Sequence, residues 1–172
     1  MTAQRPAGAL PPETLAAIRI VFFQECETHL AELSAALAAL QNGESDPETL
    51  SGAYRAAHSI KGGAGIFELD ALVGFSHQLE TALGEVRDGR LASGSEILGV
   101  LSRAHALLAE LVEAGREGRT LPSERMTAPS QDLAALAPPA MEPKAFDALN
   151  FEPRPMAFQP LNPAGRSGPE GV

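Results

Sequence analysis

Four windows of this 172-residue chain carry apolar residues three and four apart, and no window alternates apolar and polar side chains with a period of two. Side chains at that spacing line one face of an α-helix, whereas a half-buried strand needs the period of two. The chain is therefore expected to be all-α. In the first window Leu15, Ile18, Phe22, Cys26, Leu30, Leu33, Leu37 and Leu40 form the stripe of a helix running from Pro12 to about Gln41. The sequence NGESDP ends it and starts the next, with Asp46 as N-cap and Pro47 at the first helical position. The second helix runs from Pro47 into a glycine-rich stretch and offers the core Leu50, Ala53, Tyr54, Ala57, Ile60 and Ala64. Asp70 caps a third, with Leu72, Phe75, Leu79, Leu83 and Val86, until the DG pair at 88–89. Ser95 caps a fourth, with Ile97, Leu101, Ala104, Leu108 and Leu111, ending near AGREG. Four amphipathic helices joined by short loops bury their stripes most simply as an up-down bundle.

Proline sets the limit of that bundle. Ten of the fourteen prolines fall within 121–172, and a segment so dense in proline does not sustain helices or ladders. The expected organisation is a helical bundle over 10–118 followed by a Pro-rich, largely disordered tail over 119–172. SQDLAALA at 130–137 has the composition of a fifth short helix, with prolines around it opposing docking. AFDALNF at 145–151 is aromatic for a spacer and reads either as a linear docking motif or as a sticky piece of linker.

The net charge of −9, with no basic run and few aromatics, makes the chain a poor partner for nucleic acid, where phosphate neutralisation supplies most of the affinity. One cysteine, Cys26, excludes an internal disulfide and a cysteine-based zinc site, and its place in the first stripe makes it a core residue. The chain has neither a signal-peptide pattern nor an apolar run near 18 residues, so no membrane insertion and a cytoplasmic location are expected.

The chemistry concentrates in AAHSIKGGAG, residues 56–65. His58, Lys61, Gly62 and Gly65 share a helix face away from the core stripe. Each glycine costs about 1 kcal/mol relative to alanine inside a helix. Gly62, Gly63 and Gly65 thus exchange stability for steric access beside an ionisable ring with a positive charge one turn on. The third helix carries HQLE, with His77 and Glu80 on one face. In an antiparallel neighbour that face lies alongside His58, where a carboxylate on one ring nitrogen would set the tautomer and raise the basicity of the other. That arrangement suits a nucleophilic histidine. His29 and His105 read as solvated helix residues.

YRAAHSIKGGAGIF, residues 54–67, resembles the FRAAHSIKGGAGTF-like segments of histidine phosphotransfer (HPt) domains, especially the N-terminal P1 domain of CheA-type chemotaxis histidine kinases. HQLE follows at the family's distance, and FFQECETHLAEL, residues 22–33, is similar to that domain's first helix. The resemblance covers about residues 10–115. It implies that His58 is the phosphoacceptor, taking the γ-phosphoryl of ATP on Nε2. It also implies that Glu80 holds the Nδ1 proton and that Lys61 and His77 neighbour the phosphoryl group. The implied donor is the catalytic domain of a CheA-type kinase, and the implied acceptor is the aspartate of a CheY-like response regulator receiver domain.

No phosphate-cradling loop is present, since GGAG lacks both the GK[ST] ending and a preceding strand. The chain is accordingly expected to bind no cofactor and to have no kinase activity of its own, either as a stand-alone carrier or as the N-terminal piece of a histidine protein kinase. Two other readings compete. One is a helical interaction or scaffold bundle whose histidine is never phosphorylated. The other is a metal-binding four-helix bundle using His58, His77 and Glu80, for which Glu25 and His29 are available on the first helix but little beyond Glu96 and Glu110 on the fourth.

Overall fold

The structure, a computed structural model, describes residues 11–44 and 46–136. Five helices account for its regular structure: α1 (Pro12–Gln41), α2 (Pro47–Ile66), α3 (Asp70–Arg87), α4 (Ser95–Arg116) and α5 (Ser123–Leu136). The described residues contain no strand. Around the bundle α1 packs on α2, α2 on α3, α3 on α4 and α4 back on α1, which closes a four-helix ring.

Side-chain capping marks the start of α2. Asp46 caps α2 as expected, accepting from the backbone N–H groups of Glu48 at 2.9 Å and Thr49 at 3.3 Å, with Pro47 behind it. Asp70 and Ser95 do not act as caps. Each is the first residue of its helix, behind Leu69 and Gly94, and neither start has a side-chain cap. Asp70 instead places its charge in the first turn, against the positive end of the helix dipole.

The stripes of α2, α3 and α4 face inward, with Ile60, Leu79, Leu83, Leu101 and Leu108 fully buried. Tyr54, expected in the core, is only half-buried, and so are Leu30 and Ile97. The stripe of α1 fails at its start: Leu15 and Ile18 are exposed, and burial begins at Phe22 and Phe23. With 30 residues α1 is about 45 Å long, against about 27 to 33 Å for α2, α3 and α4. Among the described residues its first turns therefore have no neighbour long enough to cover them.

The boundary expected at 118/119 lies too early. α5 packs on α3 and α4 through the buried Leu133 and the half-buried Met126 and Leu136. Ion pairs from Arg125 to Glu110 and from Arg103 to Asp132, at 2.6 and 3.0 Å, tie it to α4. Its one internal proline, Pro129, removes a ladder hydrogen bond, and the helix continues past it to Leu136. The helix also starts well before the 130–137 stretch that looked helical in the sequence. AFDALNF at 145–151 lies outside the described residues.

The connection between α2 and α3 positions the site. Phe67, Glu68 and Leu69 make the turn, and Glu68 takes the left-handed conformation at φ 55°. Leu69 N–H returns to Ala64 O at 3.2 Å and Glu68 N–H to Gly65 O at 3.4 Å, the paired bonds of a Schellman motif. A non-glycine residue there costs about 1 kcal/mol. So short a turn makes α2 and α3 antiparallel neighbours and fixes which of their turns lie side by side.

Candidate functional site

Helix periodicity gives α2 a face through Tyr54, His58 and Lys61, and gives α3 a face through His77, Glu80, Gly84 and Arg87. The antiparallel packing brings the two together. Glu80 is the meeting point, with a side chain only 7% exposed. Its Oε1 lies 2.7 Å from Nδ1 of His58, and its Oε2 bonds the Lys61 ammonium. His77 Nδ1 stands 3.9 Å from Oε2, beyond hydrogen-bond reach, on a largely exposed ring.

Burial pushes the pKa of Glu80 up, but the donors from Lys61, His58 and Tyr54 outweigh it and bring it down to about 2. At neutral pH the group is thus a carboxylate and accepts only. Nδ1 of His58 must then carry the proton that joins them, which leaves Nε2 as the nitrogen with a free lone pair. The ring is 61% exposed, and Nε2 is the nitrogen turned away from the buried partner. The site is a tautomer-locked imidazole with one nucleophilic nitrogen offered outward.

The glycines divide into two kinds. A Cβ at Gly62 or Gly65 would meet nothing within 4 Å, so both leave open space beside the His58 face. Gly63 serves a different purpose from the steric access expected of it. A Cβ there would stand 2.5 Å from two ring carbons of Phe22, so Gly63 is where α1 and α2 approach closely. The ring it admits continues into a small aromatic cluster, with Phe22 5.0 Å from Phe23 and 5.2 Å from Phe67.

Lys61 pairs with Glu80, a contact the sequence reading did not assign to it. Two residues of the site escaped the sequence reading. Tyr54 stacks on His58, with ring planes 15° apart and centroids 6.2 Å apart, and the Arg87 guanidinium lies 4.3 Å from the Tyr54 centroid. Tyr54 is one turn before His58 on the same helix, and that spacing was the available signal. Arg87 had none, because only the helix pairing brings it there.

The other candidates lie apart from this site. His29 pairs with Glu32 on its own helix at 3.1 Å. His105 is half-buried rather than solvated, with Nε2 donating to Leu30 O at 3.0 Å across the α1–α4 interface. Cys26 is a core residue, as expected, and burial pushes its thiol up to about 12. Glu110 is engaged by Arg125. Among the described residues no three His, Cys, Asp or Glu side chains converge into a metal-sized cluster, and no helix is long and apolar enough to cross a membrane.

The sequence pattern of the Hpt domain matches residues 17–117. The chemotaxis protein CheA of Rhizobium meliloti is 47% identical over 120 residues, which are 70% of this chain and 16% of that protein. The chemotaxis protein CheA of Cereibacter sphaeroides is 42% identical over 144 residues, 79% of this chain and 20% of that one. The chain thus spans a fifth or less of these curated relatives. Among solved structures, the phosphorylated P1 domain of CheA3 in complex with CheY6 from R. sphaeroides superposes with a TM-score of 0.63 at 26% identity, covering 69% of this chain and 94% of that one.

Proposed function

The chain belongs to the Hpt domain family, and from that membership we propose that it is the phosphoryl carrier of a chemotaxis two-component system, with His58 as the phosphoacceptor. The observation that carries the reading is the bond from His58 Nδ1 to a buried, ionised Glu80. It keeps the proton on Nδ1 and leaves Nε2 nucleophilic at the exposed edge of the ring.

In the first step the Nε2 lone pair attacks the γ-phosphorus of ATP held by the catalytic domain of a CheA-type kinase. The Nε2–P bond forms, the P–O bond to the β-phosphate breaks, and ADP leaves with that electron pair. The ring gains positive charge, which Glu80 offsets through the Nδ1 proton. In the second step a carboxylate oxygen of an aspartate on a CheY-like receiver attacks phosphorus, and the N–P electron pair returns to Nε2. Such transfers need chiefly positioning and charge stabilisation. Glu80 supplies the first, and the ammonium of Lys61, one turn from the acceptor, supplies the second. His77 offers a further donor at the rim. Gly62 and Gly65 leave room for the incoming domain.

This chain requires no cofactor of its own in this scheme, the phosphoryl group coming from ATP bound elsewhere, and works in the cytoplasm beside its kinase and receiver. The test is to supply a CheA-type ATP-binding domain in trans with γ-labelled ATP and locate the label by mass spectrometry. The expected product is a single acid-labile phosphate on His58. An unlabelled protein, or a label on another residue, overturns the assignment.

A further inference from the structure

Glu80 serves two donors at once, and phosphorylation of His58 calls one of them away. Oε1 accepts from His58 and Oε2 from Lys61. An anionic phosphoryl group on Nε2 draws the Lys61 ammonium, which sits on a flexible stem on the same helix face. Once Lys61 turns outward, a carboxylate oxygen of a side chain only 7% exposed loses its charge-assisted bond. The carboxylate then keeps only its bond to His58, and an unsatisfied oxygen on a buried charge is costly. His77 is too distant to replace it.

The hydroxyl of Tyr54 is the other group facing this carboxylate. The Tyr54 ring lies beside Gly84, one turn along α3 from Glu80, and along the His58 ring that Glu80 holds. Hydrogen bonding to Glu80, with burial second, raises the pKa of the phenol, and the phenol helps lower that of Glu80. Three contacts hold the ring there. The His58 imidazole is stacked along one side. The Arg87 guanidinium lies over it at 4.3 Å, itself bonded to Asp88 at 2.9 Å. Gly84 of α3 supports the edge, where an added Cβ would stand in ordinary contact, 3.5 Å from Cε2. A cation over a ring face favours a fixed ring orientation. A phenylalanine would fill the same space, so the hydroxyl is the part that packing does not explain.

We propose that Tyr54 is a positioning residue for phosphoryl transfer at His58: its ring supports the imidazole, and its hydroxyl takes over Oε2 of Glu80 when Lys61 turns to the phosphoryl group. The inference rests on the carrier reading above. It gives the α2–α3 site a relay of donors, in which Glu80 stays paired throughout the cycle while Lys61 moves.

The test compares wild type, Tyr54→Phe and Tyr54→Leu as substrates of a CheA-type ATP-binding domain in trans. Tyr54→Phe keeps the ring and removes the donor, so kcat is expected to fall about threefold to tenfold, the worth of one hydrogen bond, with KM unchanged. Tyr54→Leu falls further, because the ring support is lost as well. A second readout needs no kinase: in a Lys61→Ala background, adding Tyr54→Phe raises the titration midpoint of the Glu80 carboxyl carbon in NMR. A wild-type kcat for Tyr54→Phe, or an identical Glu80 titration in the two Lys61→Ala proteins, makes Tyr54 a packing residue and overturns the proposal. Unlabelled wild-type protein overturns the carrier reading, and the role in transfer with it. Normal labelling of both wild type and Tyr54→Phe overturns the role of Tyr54 alone.

Discussion

Among the described residues two histidines lie within hydrogen-bond distance of a carboxylate, and the two pairs differ in what holds the acid. His29 and Glu32 lie 3.1 Å apart on one helix, with Glu32 55% exposed and free to leave its partner for water. His58 and Glu80 lie 2.7 Å apart across two helices, with the carboxylate buried and a second cation on its other oxygen. An exposed pair is worth little, because solvent screens it and two mobile side chains must be ordered to form it. A pair whose carboxylate is fixed by burial and by another donor cannot drift, so the ring it holds has a defined tautomer and direction. The lesson concerns support: the same two functional groups fix the tautomer and direction of the ring only where a second helix immobilises the acid.

The sharpest way to break this comparison is to remove the rings. His58→Gln is expected to abolish labelling by a kinase domain supplied in trans, while His29→Gln labels at the wild-type rate. Both should melt within about 0.5 kcal/mol of wild type, since neither ring fills the core. Residual label on the His58 variant would move the acceptor elsewhere.

Acid tests the carboxylate. The folded-state pKa of Glu80, about 2, lies below the 4.5 of the free group, so folding is favoured by its ionised form. That contribution is fully present above about pH 4.5 and is lost as pH falls through about 2. Its size is of order 3 kcal/mol. Denaturant melts of wild type should weaken across that window by more than those of Glu80→Gln, whereas Glu32→Gln should track wild type. Parallel curves for wild type and Glu80→Gln would mean that burial of the acid gives no such support.

Rate is the next readout. Glu80→Gln can still accept from Nδ1 but carries no charge, and labelling of His58 should slow by about 10- to 100-fold, the scale of losing a supporting partner. The ring nitrogens of His58 should shift in NMR toward a mixture of tautomers. Glu32→Gln should change the rate less than twofold. Equal rates for the two variants would erase the distinction between the pairs.

The smallest effects separate the glycines that flank the functional pair. Gly63→Ala forces a methyl into the Phe22 ring and should destabilise by about 1–3 kcal/mol, as overpacking does. Gly62→Ala meets open space and should stabilise by about 0.5–1 kcal/mol through helix propensity. It should also slow labelling if the open face admits the kinase domain. Chemical melts and labelling rates of the two variants check both statements.

Much of this was legible in the sequence. The periods around Leu72–Val86 and Ile97–Leu111 located α3 and α4 because one face of the 3.6-residue pattern is filled consistently there. Asp46 and Pro47 marked the start of α2 because cap and first-turn proline act locally. His58, Lys61 and Glu80 stood out because a basic pair among glycines and an acid on the following helix have no simple packing role. Leu15 and Ile18 misled because periodicity reports which face is apolar, not whether a neighbour is long enough to cover it. α5 was obscured because proline density is averaged over a window, whereas docking depends on where Leu133 lands.

Taken alone, the sequence determined the helices and most of their inward faces, and it singled out His58 as the histidine to propose as nucleophile, all from patterns within a few residues. The tertiary structure alone decided that Glu80 is buried, that Lys61 rests on it, that Tyr54 and Arg87 complete the site, and that Gly63 is a packing contact while Gly62 and Gly65 are open. Each of these depends on which turn of α2 lies against which turn of α3 or α1. The Phe67–Leu69 turn and the close approach at Gly63 set that register through contacts between residues distant in the chain.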